Sequence, residues 1–199
     1  MKPPIKRSVK TLGALTVAAG LLLGFAGSAG AAPGTAGASG TSSFGFAHRT
    51  VTAPDGQDFH LKLAATPTSL PAAAGGTVDV AGTGYNRGQG IFLAFCVIPE
   101  GVTVGDPATY TTLPTPCLPG REDQDGSSRR ITDSATGTPG ITLPYRAGGS
   151  FLTTLNIRPE IKDGVVCDVD VKCAIVTRAD FTATADRSYD QYIPVSFSR

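Results

Sequence analysis

The chain has 199 residues with 17 basic and 16 acidic side chains, two histidines, one methionine and no tryptophan. A formal net charge of +1 without a concentrated basic face argues against a nucleic-acid footprint. The 25 glycines and 15 prolines, with no sustained 3.6-residue period, argue against a helical protein and for many short strands joined by turns.

Residues 1–31 read as a signal peptide. Lys2, Lys6, Arg7 and Lys10 form a positive start, Leu12 to Phe25 is an uncharged apolar run, and small residues follow. The Ala29-x-Ala31 pattern places cleavage between Ala31 and Ala32, clear of Pro33. The apolar run is about 14 residues, whereas a membrane-crossing helix takes about 20. Processing removes four of the 17 basic residues and none of the 16 acidic ones, leaving 13 against 16, a net charge of −3. No later apolar segment reaches spanning length, so the processed chain is expected to be secreted, extracellular and monomeric. About 168 residues suffice for one domain with its own core.

Residues 32–58 are expected to be a flexible leader, with Phe44 to Asp58 open to the alternative of an extra edge strand. The domain is placed at 59–199. Leu61, Leu63 and Ala65 alternate with His60, Lys62 and Ala64, a half-buried strand. Pro67 to Gly76 reads as a connection, and Val78 and Val80 as a second strand ended by Gly82-Thr83-Gly84. Ile91 to Ile98 is apolar at every position, although one face of a strand in an antiparallel sandwich is normally wet. Something must therefore cover its second face. The long loop 99–143, rich in Pro, Gly, Asp and Ser, is the natural cover and leaves room for a pocket between them. Phe151 to Ile157 alternates again, and Val165–Cys167, Cys173–Thr177 and Ile193–Phe197 bring the count to about seven. The fold class is an all-β, immunoglobulin-like antiparallel sandwich.

The four cysteines, Cys96, Cys117, Cys167 and Cys173, fall in the exported part, and an even count in an oxidising compartment reads as two disulfides. Of three possible connectivities, Cys96–Cys117 and Cys167–Cys173 each close a local loop between strand-like segments. No Cys-x-x-Cys pair or nearby histidine supports a metal site, and Asp123-x-Asp125-Gly126 lacks the remaining ligands of a calcium loop. The chain has no nucleophile elbow, and His60 sits on a polar strand face, so an enzyme is not expected, nor a metal or cofactor. The candidate ligand contacts are Phe92, Phe95, Tyr110 and Tyr145, aromatics on or near the doubly apolar strand and its covering loop.

The run Gly76-Thr77-Val78-Asp79-Val80-Ala81-Gly82-Thr83-Gly84-Tyr85, followed by the strand carrying Cys96, resembles the neocarzinostatin-like sandwich of actinobacteria. Gly149-Ser150-Phe151 and Val166-Cys167 followed by Cys173 resemble it too, and that family's two local disulfides agree with the pairing above. Gly90-Ile91-Phe92-Leu93-Ala94-Phe95-Cys96, Pro116-Cys117-Leu118 and Cys173 to Asp180 are similar to the immunoglobulin-like module that follows haem-transport-associated (HtaA) domains. So are Asp186-Arg187-Ser188-Tyr189-Asp190 and Pro194-Val195-Ser196-Phe197, and the similarity spans about residues 60–199. The haem-binding domain of those proteins has no counterpart upstream here, so no Tyr or His inherits haem ligation. The resemblance implies a secreted, non-catalytic binding module for a protein or cell-envelope partner. The alternative it implies is a carrier of an apolar small molecule in a cleft beside strand 91–98.

Overall fold

The computed structural model describes residues 43–121, 124–139 and 141–198; the signal peptide with its cleavage site Ala31–Ala32, and leader residues 32–42, lie outside them. The described chain is all-β: β1 Gly45–Thr52, β2 Asp58–Thr66, β3 Ser69–Pro71, β4 Gly76–Thr83, β5 Ile91–Val97, β6 Ser128–Ile131, β7 Phe151–Ile157, β8 Glu160–Lys162, β9 Val165–Val166, β10 Cys173–Ala179 and β11 Gln191–Ser198. Four strands form one sheet in the order β1-β2-β4-β7, and five form another in the order β3-β11-β10-β5-β6, with β8-β9 a separate hairpin. Among the described residues no helix is long and apolar enough to cross a membrane.

Period-2 alternation builds the interior. Leu61, Leu63 and Ala65 of β2, Val78 and Val80 of β4 and Phe151, Leu155 and Ile157 of β7 form the inner face of the four-stranded sheet. They pack against Leu93 and Phe95 of β5, Ile175 of β10 and Ile193, Val195 and Phe197 of β11. Phe95 is fully buried there, edge-to-face on Phe197 at 6.0 Å between ring centroids.

The second face of β5 is covered from outside. Ala94 and Cys96, with Ala174 and Val176 of β10 and Tyr192 of β11, form a second buried cluster capped by Tyr110. Ile98, Val102 and Cys117 pack against it. The cover is fastened by the Cys96–Cys117 disulfide and by two ladder hydrogen bonds, Val97 N to Pro116 O at 2.9 Å and Leu118 N to Phe95 O at 2.8 Å. Residues 116–118 thus extend the sheet edge where β6 stops, and β5 is left with no bare edge. The second disulfide, Cys167–Cys173, closes the turn between β9 and β10.

Four strands lie outside the seven read from the sequence: β1, the edge strand left open there, and β3, β6 and β8. The sandwich starts before residue 59: β1 pairs with β2 in register from Gly45–Ala65 to Thr52–Asp58, so part of the leader is an edge strand. Its alternation of exposed and half-buried positions is masked in sequence by Ala, Gly and Thr, which carry little hydropathy signal. β3 lies in the Pro-rich connection and pairs parallel to β11. β6 lies inside the long loop, where Arg129 and Arg130 hide a strand because Arg130 is buried by an ion pair with Asp180.

Replacing Cys96 and Cys117 together by serine frees a loop with a sequence separation of 21. The chain-entropy argument predicts a loss of about 3 kcal/mol, against about 2 kcal/mol for the Cys167/Cys173 pair with its separation of 6. Urea midpoints of the two double variants measure this; a larger loss from the short loop would contradict the covering role given to the long one.

Candidate functional site

A cleft of about 630 Å³ lies on the outer side of the five-stranded sheet, where β1 arches over β11. Backbone and side chains of Phe46 to Thr50 form one wall, the covering loop from Val104 to Tyr110 forms the other, and Tyr192 belongs to the floor. Gly45 lets β1 come this close, because any Cβ there would collide with the Ile193 side chain. The loop wall is held by its own bonds. Asp106 Oδ1 accepts from Ala108 N at 3.1 Å, and Thr109 Oγ1 accepts from Thr103 N at 2.9 Å. Tyr110 Oη accepts from Gly105 N at 2.9 Å, which turns the ring edge-to-face on Tyr192 at 4.8 Å between centroids.

Arg49 joins this wall to the turn before β11. Its Nη1 donates to the carbonyls of Arg187 at 2.7 Å and Asp190 at 3.0 Å, and its guanidinium carbon lies 5.4 Å from the Tyr110 ring centroid. Arg187 Nη1 donates to Asp190 Oδ2 at 3.1 Å. Arg178, one residue beyond the β10 position paired to Gln191, stands 5.0 Å from the Phe92 ring and is coupled to Arg187 and Asp190.

Two fully buried carboxylates, at the two ends of the connection between β10 and β11, contrast with each other. Asp180 Oδ2 accepts from Arg130 Nε at 2.9 Å and Nη2 at 2.6 Å, and its Oδ1 accepts from Thr182 N at 3.0 Å and Thr182 Oγ1 at 2.6 Å. Burial pushes its pKa up, but those hydrogen bonds outweigh burial and hold it below the ordinary value. Asp190 has only the Arg187 bond, and its buried Oδ1 has no partner among the described residues. Burial therefore prevails over the attraction of Arg187, Arg49 and Arg178, and its pKa is pushed up to about 7. Tyr192 is 1% exposed and its hydroxyl is also unpartnered, as is the Nε of Arg178. Burial raises the Tyr192 pKa well beyond the usual tyrosine range, so its hydroxyl stays a proton donor. The same effect, reinforced by repulsion from Arg187, lowers that of Arg178.

The four aromatics chosen from sequence do not come together. Tyr110 lines the cleft. Phe92 lies on the same outer sheet face but against Phe181 at 6.1 Å between centroids. Phe95 faces the opposite way, into the sandwich core, by the alternation of β5. Tyr145 is buried on Tyr85 and donates its hydroxyl to Gln89 O at 3.0 Å, far along the chain from the cleft wall. The space directly over β5 is filled by Tyr110, Ile98, Val102 and the disulfide, so the open volume is displaced toward β11. Sequence reasoning missed Arg49, Arg178, Asp190 and Tyr192. Arg49 lies in the stretch read as leader, and no spacing or motif ties it to the end of β10 and the start of β11, where the other three lie. His48 is exposed and stacked on Phe46, and His60 Nδ1 is 3.1 Å from Thr50 Oγ1. Among the described residues no three of His, Cys, Asp and Glu converge as a metal site.

No protein-family model matches this chain, and no curated protein does. Among solved structures, macromomycin is similar, with a TM-score of 0.42 and 17% sequence identity, covering 69% of this chain and 99% of that one.

Asp190 predicts the pH dependence of stability. Its folded pKa lies above the ordinary 3.8, so folding takes up a proton between about pH 4 and pH 7. Stability on this account is fully present below pH 4 and falls as pH rises through 7, by a loss on the order of 4 kcal/mol. Asp180, Asp168 and Asp125 are shifted downward and oppose acid instead, so their contribution is lost as pH falls below the ordinary carboxylate range. The melting temperature should peak near pH 4–5 and decline toward pH 8, and Asp190→Asn should flatten that decline. A decline that persists unchanged in Asp190→Asn would show that another group causes it.

Proposed function

We propose that this chain is an exported, non-catalytic binding module that holds a small molecule in the cleft between β1, the covering loop and β11. The observation that carries the reading is the cleft itself. Its volume of about 630 Å³ falls in the range of small-molecule sites, and its walls combine aromatic surface from Phe46, Tyr110 and Tyr192 with the polar side chains of His48, Arg49, Thr50 and Gln191. Support for export comes from the N-terminal signal pattern and from two disulfides among four cysteines. Support for a non-catalytic role comes from the hydroxyl of the lining that meets an imidazole, Thr50 with His60: the pair is exposed, and among the described residues no carboxylate hydrogen-bonds that imidazole to orient it as a base.

A protein or cell-envelope partner is the second reading. It is favoured by the outward side of β1, an edge strand where Phe44 and Phe46 are 66% and 54% exposed. An extended segment of a partner could add to that edge by strand pairing.

Native mass spectrometry of the protein purified from its own culture medium separates the two. A mass excess that disappears on denaturation, and is absent from the cleft-filling variant Ala108→Trp, is the expected result. Ala108 is exposed on the loop wall, so the larger side chain enters the cleft without disturbing the core. A bare mass for both proteins, with a polypeptide partner captured by crosslinking at residues 44–46, would instead favour the edge-strand reading.

A further inference from the structure

The cleft runs along a strand edge rather than over a sheet face. Its β1 wall is made of five consecutive residues, Phe46 to Thr50. Successive side chains of a strand point to opposite faces, so a cleft over one face would meet only every second residue. The two faces meet at the edge, and β1 is the end strand of its sheet, paired on one side with β2. The hairpin joining the two strands fixes which backbone groups turn away from β2. Ala53 N donates to Gln57 O at 2.8 Å, which makes that pair a hydrogen-bonded position. Bonded and non-bonded positions alternate along an antiparallel ladder. Arg49–Leu61 and Ala47–Leu63 are therefore bonded, whereas Phe46, His48 and Thr50 turn their N–H and C=O to the free edge. The 2.6 Å side-chain bond across Thr52–Asp58 agrees, because non-bonded pairs stand closer. Phe46, His48 and Thr50 are exposed, and their outward backbone groups have no partner among the described residues. Other edges of the sandwich are closed. Asn156 N of β7 donates to Gly126 O at 3.0 Å, Thr132 N and Leu143 N bond along the outer side of β6, and β3 is three residues ending in Pro71. By contrast β1 is eight residues in unbroken register with neither proline nor lysine, the usual guards of an edge.

We infer that an extended polypeptide segment of a partner pairs with the free edge of β1 inside this cleft, as a fifth strand bonded to the backbone of Phe46, His48 and Thr50. The inference rests on the polypeptide-partner reading of β1, and gives that partner a seat, a register and a chemistry. Three N–H and three C=O groups recurring at every second residue are matched by another backbone in the extended form. The edge from Phe46 to Thr50 is about 14 Å long, room for a segment of about five residues. Side chains of an added strand alternate, one set towards Tyr110, Tyr192 and Val104 of the lining and the other beside Phe46. The lining holds Arg49 and no carboxylate. Charge complementarity therefore selects a neutral or acidic segment, apolar at every second position, and disfavours lysine and arginine.

A displayed library of random nine-residue peptides, selected on the full processed chain, tests this. The selected sequences should be apolar at alternate positions and poor in lysine and arginine. In amide-exchange NMR of the free protein, Phe46, His48 and Thr50 should exchange fast and Ala47 and Arg49 slowly. A synthetic copy of the tightest selected peptide should slow the first three at least ten-fold. His48→Pro removes a free-edge N–H and leaves the β2 ladder intact, since that N–H does not face β2. It should bind the peptide at least ten-fold more weakly than His48→Ala, which keeps the N–H. Slow exchange at Ala47 and Arg49 checks that both variants are folded. A peptide that binds both variants alike, or leaves the three amides unprotected, overturns the strand pairing and leaves a polypeptide partner standing at another surface. Slow exchange of those three amides in the free chain means that the edge is already paired, and overturns the inference as well. If the library yields no peptide, the polypeptide reading falls with it.

Discussion

Strand β5 of the five-stranded sheet has almost no side to give to water. Ile91, Leu93, Phe95 and Val97 enter the sandwich, and Ala94 and Cys96 on the reverse are just as buried. Its neighbour β10 repeats the arrangement with Ile175 inward and Ala174 and Val176 outward. Burial is worth about 0.8 kcal/mol per methyl or methylene group, so an uncovered outer face would be both a cost and an aggregation surface. That single constraint explains the Cys96–Cys117 disulfide, the ladder bonds of residues 116–118 and the inward-turned Tyr110. They are the devices that keep a polar, Pro-rich loop on an apolar face it would not hold through its own hydrophobicity.

A cover made of a loop does not fit a flat sheet edge to edge. Small residues dominate the covered face over β5 and β10, and the loop sits tightly there. Over β11 the floor is one large ring, Tyr192, and the next wall is not the loop but β1, brought in by Gly45. The cleft is the gap between two covers that arrive from opposite sides. Its polar lining has the same origin. Arg49 crosses from β1 to cap the carbonyls of Arg187 and Asp190, so the turn before β11 is organised from the opposite sheet.

Much of this architecture is legible in the sequence because it depends on period-2 alternation and on strands long enough to show it. β2, β4, β5, β7, β10 and β11 all announce themselves that way, and the unbroken apolar run from Ile91 to Ile98 announces the need for a second cover. What stays hidden is whatever depends on tertiary pairing of weak signals. β1 is only an alternative to a leader because Gly45, Ala47 and Thr50 carry no strong pattern, and β6 reads as loop because Arg130 is buried through its ion pair with Asp180, fifty residues later, and its bonds to Thr136. The candidate site is hidden for the same reason. Aromatic residues were sought near β5, where the apolar run is, whereas the open volume follows the mismatch between covers and lies over β11.

Asp180 and Asp190 occupy the two ends of the stretch that joins β10 to β11, and both are removed from solvent. If burial alone governed their environments, both would be shifted the same way. They are shifted in opposite directions, because Asp180 receives a guanidinium fork and a threonine amide and hydroxyl, whereas Asp190 receives one bond on one oxygen. A connection that fully satisfies one carboxyl could have been built to satisfy the other, as Arg178 and Tyr192 stand near it with donors unused. Structural ion pairs are closed on themselves. The Asp190 end is left open on three polar atoms among the described residues, next to the carbonyls that Arg49 of the cleft wall caps.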